Sequence, residues 1–413
     1  MDKYFIGLDF GIDSVSIVAS CLFLGLIMPG CQGRTGNDSK DNLERKDIQH
    51  EIVYYEEGRF AAWPANGGMW IWDDEILVCF NVADHVDRSG HTYDVSTARN
   101  MFARSHDGGE SWTLEDAYEN GITGYAMDHR IGDKAFEPVD LEEPIDFHNP
   151  DFAFMFQRET NRSGPTHFYY TYDRGKSWFG PYNFPELDPA GITSRTDYII
   201  DGRHEMLAFL SIGHGRTGVA RTKDGGISWE LLSYIGPDFT RSEELQGRND
   251  YSLMPSTVRL SSSEILTTIR HREGDDGRVW ITSYISEDNA QTWKQLDDPV
   301  TDHVNSPSDL VQLPDGRLML VYVFRRGGWN TEPGTGVEGS SVCARISSDD
   351  GRTWSEEIVL RENEGANYDV GYPRVVLRND GKLVITYYWN HSLDIDQQPY
   401  RYIAATIWDP DGY

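Results

Sequence analysis

Six segments of the chain share one pattern of apolar and polar positions. Each has a small or polar lead-in, a short apolar strand, a turn often of the form Asp-Gly, and a second strand rich in β-branched and aromatic residues. They are AAWPANGGMWIWDDEILVCF (61–80), HNPDFAFMF (148–156) continuing to HFYYTY, RTDYIIDGRHEMLAFLS (195–211), MPSTVRLSSSEILTTIR (254–270), NSPSDLVQLPDGRLMLVYVFR (305–325) and GYPRVVLRNDGKLVITYYW (371–389). The pattern predicts paired strands in every case, and its recurrence predicts a repeated architecture.

A second repeat marks the other end of each unit. The spacing Ser/Thr-x-Asp-x-Gly-x-x-Trp occurs at 105–112, 171–178, 222–229 and 347–354, and a fifth copy at 286–293 has Ala290 in place of Gly. Its chemistry is that of a turn: the Asp and the hydroxyl hydrogen-bond nearby backbone N–H groups, Gly accepts positive φ, and Trp packs just beyond. The box residues therefore read as structural. Their aspartates, Asp107, Asp173, Asp224, Asp288 and Asp349, are separated by 66, 51, 64 and 61 residues. Such a period is too long for a solenoid coil and suits a four-stranded propeller blade with loop insertions. Residues 48–413 shared among six units give about 61 each, matching those intervals. The expected fold is all-β, a six-bladed β-propeller of four-stranded antiparallel blades over 48–413, with the strand at 402–409 closing the ring.

Composition narrows the partners. Aromatic residues at 12% and 40 glycines agree with short strands and many turns. A net charge of −30 and a pI near 4.6 argue against nucleic acid and anionic membrane surfaces as ligands. An anionic ligand would need cationic groups gathered locally. Residues 1–31 stand apart: the apolar stretch SIVASCLFLGLIM at 16–28, then Pro29, Gly30 and Cys31, reads as an export segment with Cys31 as a candidate lipidated residue. A polar linker follows over 32–47, so the expected location is the periplasm or the outer surface of a bacterium, with a lipid anchor as the only membrane contact. Cys79 and Cys343 read as buried free thiols. No phosphate loop, HExxH or calcium loop occurs, and no metal or cofactor is implied.

Five Asp boxes on a six-bladed propeller resemble the sialidase superfamily, and the resemblance covers essentially everything after residue 48. Inner strands of a propeller line its axis, so residues leading into the six first strands, and those ending the second strands, converge on one cavity. The arginines among them suit an acidic sugar, because guanidinium binds carboxylate bidentately. The substrate-binding candidates are Arg59, Trp63, Arg195, Asp197, Arg270, Arg325, Asp369 and Arg374. Asn66, Asn149, Ser256, Asn305, Ser306, Asp309, Arg272 and Arg326 lie beside them. The resemblance implies a Tyr nucleophile, and Tyr372 in GYPR occupies the corresponding place. It also implies an acid/base on the loop after the first blade's second strand, where Asp84, His85, His91 and Asp94 all qualify. His148 is a further catalytic candidate. Two departures accompany the resemblance: Ala62-Trp63-Pro64 stands where sialidases open with Phe-Arg-Ile-Pro, and Glu75 and Glu137 are weak choices for a Tyr-activating Glu.

The expected function is an exo-acting, retaining glycoside hydrolase that removes a terminal sialic acid or other acidic sugar from a glycan. A propeller glycosidase or uronate lyase working through His91 or His148, and a non-catalytic glycan-binding surface protein, are the alternatives.

Overall fold

In the computed structural model the described residues are 48–412, apart from 89, 126–128, 131–136, 161–163, 241–249, 275–276, 298–299, 303, 326–339, 363–368 and 391–399. The export segment, the linker, Cys31 and Arg326 lie outside them.

The strands form six antiparallel sheets arranged as propeller blades. Blade 1 runs from a divided inner strand, Arg59–Ala62 and Gly68–Trp72, through Glu75–Asp84 and Arg99–Ser105 to Thr113–Asp116. Blades 3, 4 and 5 begin at Tyr198–Ile200, Tyr251–Arg259 and Ser308–Gln312 and proceed outward in chain order. Blade 6 contains Gly371–Leu377, Leu383–Asn390 and Arg401–Trp408, and its outer strand is Ile48–Tyr54 from the other end of the propeller. The strand expected to close the ring is thus the third of its blade, and closure comes from its pairing with Ile48–Tyr54. This explains five boxes on six blades: each box links a third strand to a fourth, and in blade 6 those strands are not joined in sequence.

Every box folds alike. Asp224 Oδ1 accepts from the Ser228 backbone N–H at 2.9 Å, and the Thr222 hydroxyl accepts from the Gly226 N–H at 2.8 Å. Two successive residues take positive φ, as at Gly225 (70°) and Gly226 (92°), and in the Ala290 copy Asn289 and Ala290 adopt 58° and 65° without glycine. Each box Trp then packs across to the preceding blade: Trp178 of blade 2 stacks on Phe102 of blade 1 at 5.7 Å, and Trp229 of blade 3 joins Phe154 and Phe168 of blade 2. These interlocking apolar faces, rather than any single core, hold neighbouring blades together.

One segment differs from expectation. Residues 148–156 do not open blade 2: Ala153–Arg158 pairs with Thr166–Thr171, which runs straight into the Asp box, so it holds the second-strand position. Its apolar run has the composition of an inner strand, and only the pairing separates the two positions. Consequently His148 and Asn149 sit at the box mouth of the propeller, where Arg174 of the box turn binds Asp151 at 2.6 Å and the His148 N–H binds Asp146 at 3.0 Å.

Candidate active site

The mouth opposite the Asp boxes is shaped by three irregular inner strands. In blades 1, 4 and 6 the residue before a proline adopts left-handed φ: Trp63 (63°), Met254 (59°) and Tyr372 (56°). Bulky side chains avoid this region at a cost of about 1–2 kcal/mol each, and such strain concentrates at functional sites. The ladder breaks at each place, by the one-turn helix Pro64–Gly67 in blade 1 and by register shifts between Leu253 and Ser256 and between Gly371 and Arg374. A broken ladder re-aims side chains. Tyr372, partly buried, packs against Ala65, Met254 and Tyr388.

Arginines from three blades surround it. Burial alone would raise the Tyr372 hydroxyl, but Arg270, Arg195 and Arg325 bring it below its ordinary 10.0, and Arg270 also hydrogen-bonds to it. Arg325 lies over the Tyr372 ring at 5.5 Å, and it donates to the Val370 carbonyl (2.5 Å), the Asn305 carbonyl (2.9 Å) and the Tyr388 hydroxyl (3.0 Å). Arg270 donates to Asn305 Oδ1 at 2.6 Å and stacks over Tyr251 at 4.7 Å. Arg195, only 8% exposed, donates to the Thr193 carbonyl at 2.9 Å, and its buried Nε has no hydrogen-bond partner among the described residues. Burial, Arg158 and Arg270 push its guanidinium well below the usual range, with Tyr372 opposing them. Such a group gains most from an anion brought to it.

The second half of the site is a carboxylate held among donors. Asp369 accepts from the Tyr388 hydroxyl at 2.7 Å, from Arg401 Nε at 3.2 Å and from His91 Nδ1 at 3.0 Å. Burial opposes its charge, yet His91 and Arg401 hold it far below the ordinary carboxyl range. Asp369 therefore stays ionised and fixes the orientation of the His91 ring through Nδ1. The His91 side chain is 35% exposed, and its ring meets the Trp63 ring edge-on at 5.0 Å. Through Tyr388 the Asp369–His91 pair joins Arg325 and Tyr372, so nucleophile and acid/base candidates belong to one connected network.

The other candidates lie elsewhere. Arg59 pairs with Asp84, which is half-exposed at the rim. His85 packs edge-on against Tyr400, and burial followed by the Arg401 charge lowers its pKa. Asp94 caps the short turn Val95–Thr97, accepting from the Ser96 N–H at 2.9 Å. Trp63, 7% exposed, is packed among Phe60, Tyr93 and His91 and presents no open stacking wall. Glu75 binds Arg104 and Arg174 near the boxes. Asp197, Asp309 and Arg374 line a separate axial cavity of about 320 Å³, further along the inner strands. There Arg374 binds Asp309 at 3.1 Å, the Ala65 carbonyl at 3.2 Å and the Thr196 carbonyl, linking blades 6, 5, 1 and 3. It is a cross-axis tie away from Tyr372.

Sequence reasoning passed over Arg158, Arg401 and Tyr388. Arg158 ends a second strand as Arg270 and Arg325 do, in FMFQR beside TTIR and YVFR, and only the misplaced opening of blade 2 hid it. Tyr388 within ITYYWN carries no signal that distinguishes it from packing.

Residues 202–385 match the BNR repeat-like domain family. No curated protein matches the chain. Among solved structures, a protein of unknown function from Dyadobacter fermentans is similar over 88% of this chain and 99% of its own, at 18% identity and a TM-score of 0.62. An α-L-arabinanase from Penicillium chrysogenum, solved with arabinobiose, is similar over 87% and 97%, at 10% identity and a TM-score of 0.52. The Trypanosoma rangeli sialidase, solved with the inhibitor DANA, is similar over 88% of this chain and 60% of its own, at 11% identity and a TM-score of 0.54. At these identities the likeness is one of fold.

Proposed function

We propose that this chain, a BNR-repeat propeller with the six-bladed fold of the sialidase superfamily, is a retaining glycoside hydrolase acting on a terminal acidic sugar. The observation that carries the reading is the placement of Tyr372 against Arg195, Arg270 and Arg325, with its hydroxyl shifted toward the phenolate. Arginines that hold a substrate carboxylate are the same groups that ease ionisation of the tyrosine. A phenol is also a nucleophile that an anionic sugar does not repel as it would a carboxylate. In the first step Tyr372, ionised to the phenolate against the arginines, bonds through its oxygen to the anomeric carbon as the glycosidic bond breaks, and protonated His91 gives its Nε2 proton to the departing oxygen; the second step returns both to these forms. In the second, His91 takes a proton from water, whose oxygen bonds to the anomeric carbon and releases Tyr372. Asp369 keeps the His91 ring oriented throughout. The neighbours of known activity, an arabinanase and sialidases, support glycan chemistry on this scaffold.

A second reading is β-elimination on a uronate. It is favoured by one observation: among the described residues no carboxylate hydrogen-bonds to the Tyr372 hydroxyl, so the tyrosine is set as readily to remove a proton from carbon as to attack it. Tyr372 would take the proton beside the carboxylate while His91 protonates the departing oxygen, leaving an unsaturated sugar. The test is to incubate the protein and its Tyr372→Phe variant with a fluorogenic sialoside and with mixed acidic glycans, following released sugar and ultraviolet absorbance. Release lost in the variant supports the hydrolase, and an absorbing product supports elimination. Full turnover by the variant rejects Tyr372 in either role.

A further inference from the structure

The polar side chains left unused by this chemistry gather between blades 1 and 2. The one-turn helix Pro64–Gly67 and the end of the strand Ala153–Arg158 enclose a small pocket lined by Asn66, Asn81, Asn100, Gln157 and Arg158, with Phe80 as an apolar wall. Asn81 and Asn100 satisfy each other, Nδ2 donating to Oδ1 at 2.7 Å. Asn66 and Gln157 do not: their residues are only 9% and 6% exposed, yet among the described residues Asn66 Oδ1 and Gln157 Oε1 have no hydrogen-bond partner. Buried amide oxygens are nearly always paired, and two orphans lining one pocket point to a donor that the described residues do not supply.

The pocket's size and position limit that donor. It offers about 10 Å³ of room, enough for one oxygen-sized group. Ala65, which precedes Asn66, packs against Tyr372, and Arg158, which follows Gln157, lies close enough to Arg195 for their charges to interact. The pocket thus borders the arginine site, within reach of a substituent on a ligand held there.

We infer that Asn66 and Gln157 form a specificity subsite taking one free hydroxyl of the acidic sugar whose carboxylate lies on Arg195. The hydroxyl donates to one amide and accepts from the other, whose isosteric ends exchange by a half-turn. This rests on the proposed glycosidase site and narrows its substrate class: the sugar must carry an unmodified hydroxyl at this point, because an O-methyl or O-acyl group exceeds the room. Sites built to bond a hydroxyl discriminate strongly against ligands lacking it.

Calorimetry with N-acetylneuraminate, glucuronate and cyclohexanecarboxylate tests it on wild type, Arg195→Met, Gln157→Leu and Asn66→Ala proteins. Cyclohexanecarboxylate has a ring and a carboxylate but no hydroxyl. Gln157→Leu should weaken the better-bound sugar acid roughly fivefold, the size of one neutral hydrogen bond, and leave cyclohexanecarboxylate unchanged, which also reports an intact fold. Arg195→Met should weaken every acid. Should Gln157→Leu fail to fold, Asn66→Ala, carried on a turn rather than in a strand, gives the same comparison. Equal weakening of sugar acid and plain carboxylate, or no weakening of either, overturns the subsite while leaving the arginine site standing. Failure of every acid to bind wild type overturns the arginine site itself, and the subsite with it.

Discussion

Replacing Arg374 by Met separates a structural tie from a substrate ligand. Arg374 donates to Asp309, to the Ala65 carbonyl and to the Thr196 carbonyl, so its loss removes three contacts spanning four blades. Thr196 lines a cavity of about 320 Å³ with room for water, so the loss at its carbonyl is largely made good. Asp309 is different: it keeps the Ser256 hydroxyl at 2.8 Å and the Val375 N–H at 2.7 Å but loses its countercharge. Breaking a buried pair from one side costs about 3–5 kcal/mol, so Arg374→Met should cost about 4 kcal/mol. With an unfolding entropy of about 2.1 cal/mol/K per residue over this propeller, that is a fall in Tm of about 5 °C. Guanidinium denaturation of wild type, Arg374→Met, Asp309→Asn and the double variant forms a complete cycle, in which the double variant should lie within about 1 kcal/mol of Asp309→Asn. Anion affinity should be largely kept, because Arg374 bonds to Asp309, Ala65 and Thr196 and not to Tyr372 or the arginines around it. A cost below about 1 kcal/mol, additive single variants, or lost anion binding at full stability would refute the reasoning.

The remaining expectations concern charge and backbone. Burial raises the Asp197 carboxyl to about 8 from 3.8, so the folded state binds its proton more tightly than the unfolded chain does, and stability falls as pH climbs from about 4 to 8; the Tm advantage of Asp197→Asn should grow across that window and level off above it. Asp369 has the opposite sign: its folded pKa lies below the unfolded value, so its contribution is present above about pH 4 and lost in acid, and Asp369→Asn should flatten acid unfolding followed as Tm against pH. Gly371 has φ of 124°, and a methyl group there would lie 2.7 Å from Ser306 Oγ and 3.1 Å from Arg325. Gly371→Ala should therefore lower Tm and anion affinity together, whereas a change in Tm alone would mean that Arg325 does not depend on this turn. Arg195→Met should abolish anion binding while leaving Tm unchanged or raised, since it relieves a buried like-charge cluster; a Tm loss beyond about 3 °C would mark Arg195 as structural.

The fold was legible because turn chemistry and strand alternation are local and repeat. Five copies of the box state their own geometry, and even Ala290 keeps the backbone of its glycine counterparts. The sixth blade's lack of a box follows from topology alone. Blade 2 was misread for the reverse reason: FAFMF is equally good as an inner or a second strand, and only the pairing with Thr166–Thr171 decides. At the site, Tyr372, Arg195, Arg270, Arg325, Asp369 and His91 were all named from sequence, but their grouping was not. Arg374, two residues after Tyr372, would share its face in an unbroken strand, and it reaches the axial cavity because the ladder is broken between them. Local spacing carries no record of that break.

The two ends of the axis are therefore built under different constraints. Around the axial cavity Arg374 pairs with Asp309 and adds rigidity between blades, while Asp197 shares that one cation. At the other mouth the same inner strands carry three left-handed residues before proline and a set of arginines close enough to depress one another. Neither feature favours folding. The interlocking Trp faces of the blades and the cross-axis tie offset that cost, holding strained backbone and like charges where a carboxylate ligand would relieve them. A ligand that neutralises the arginines should thus stabilise the fold as it binds, which makes thermal shift a direct screen for the acidic sugar proposed as its ligand.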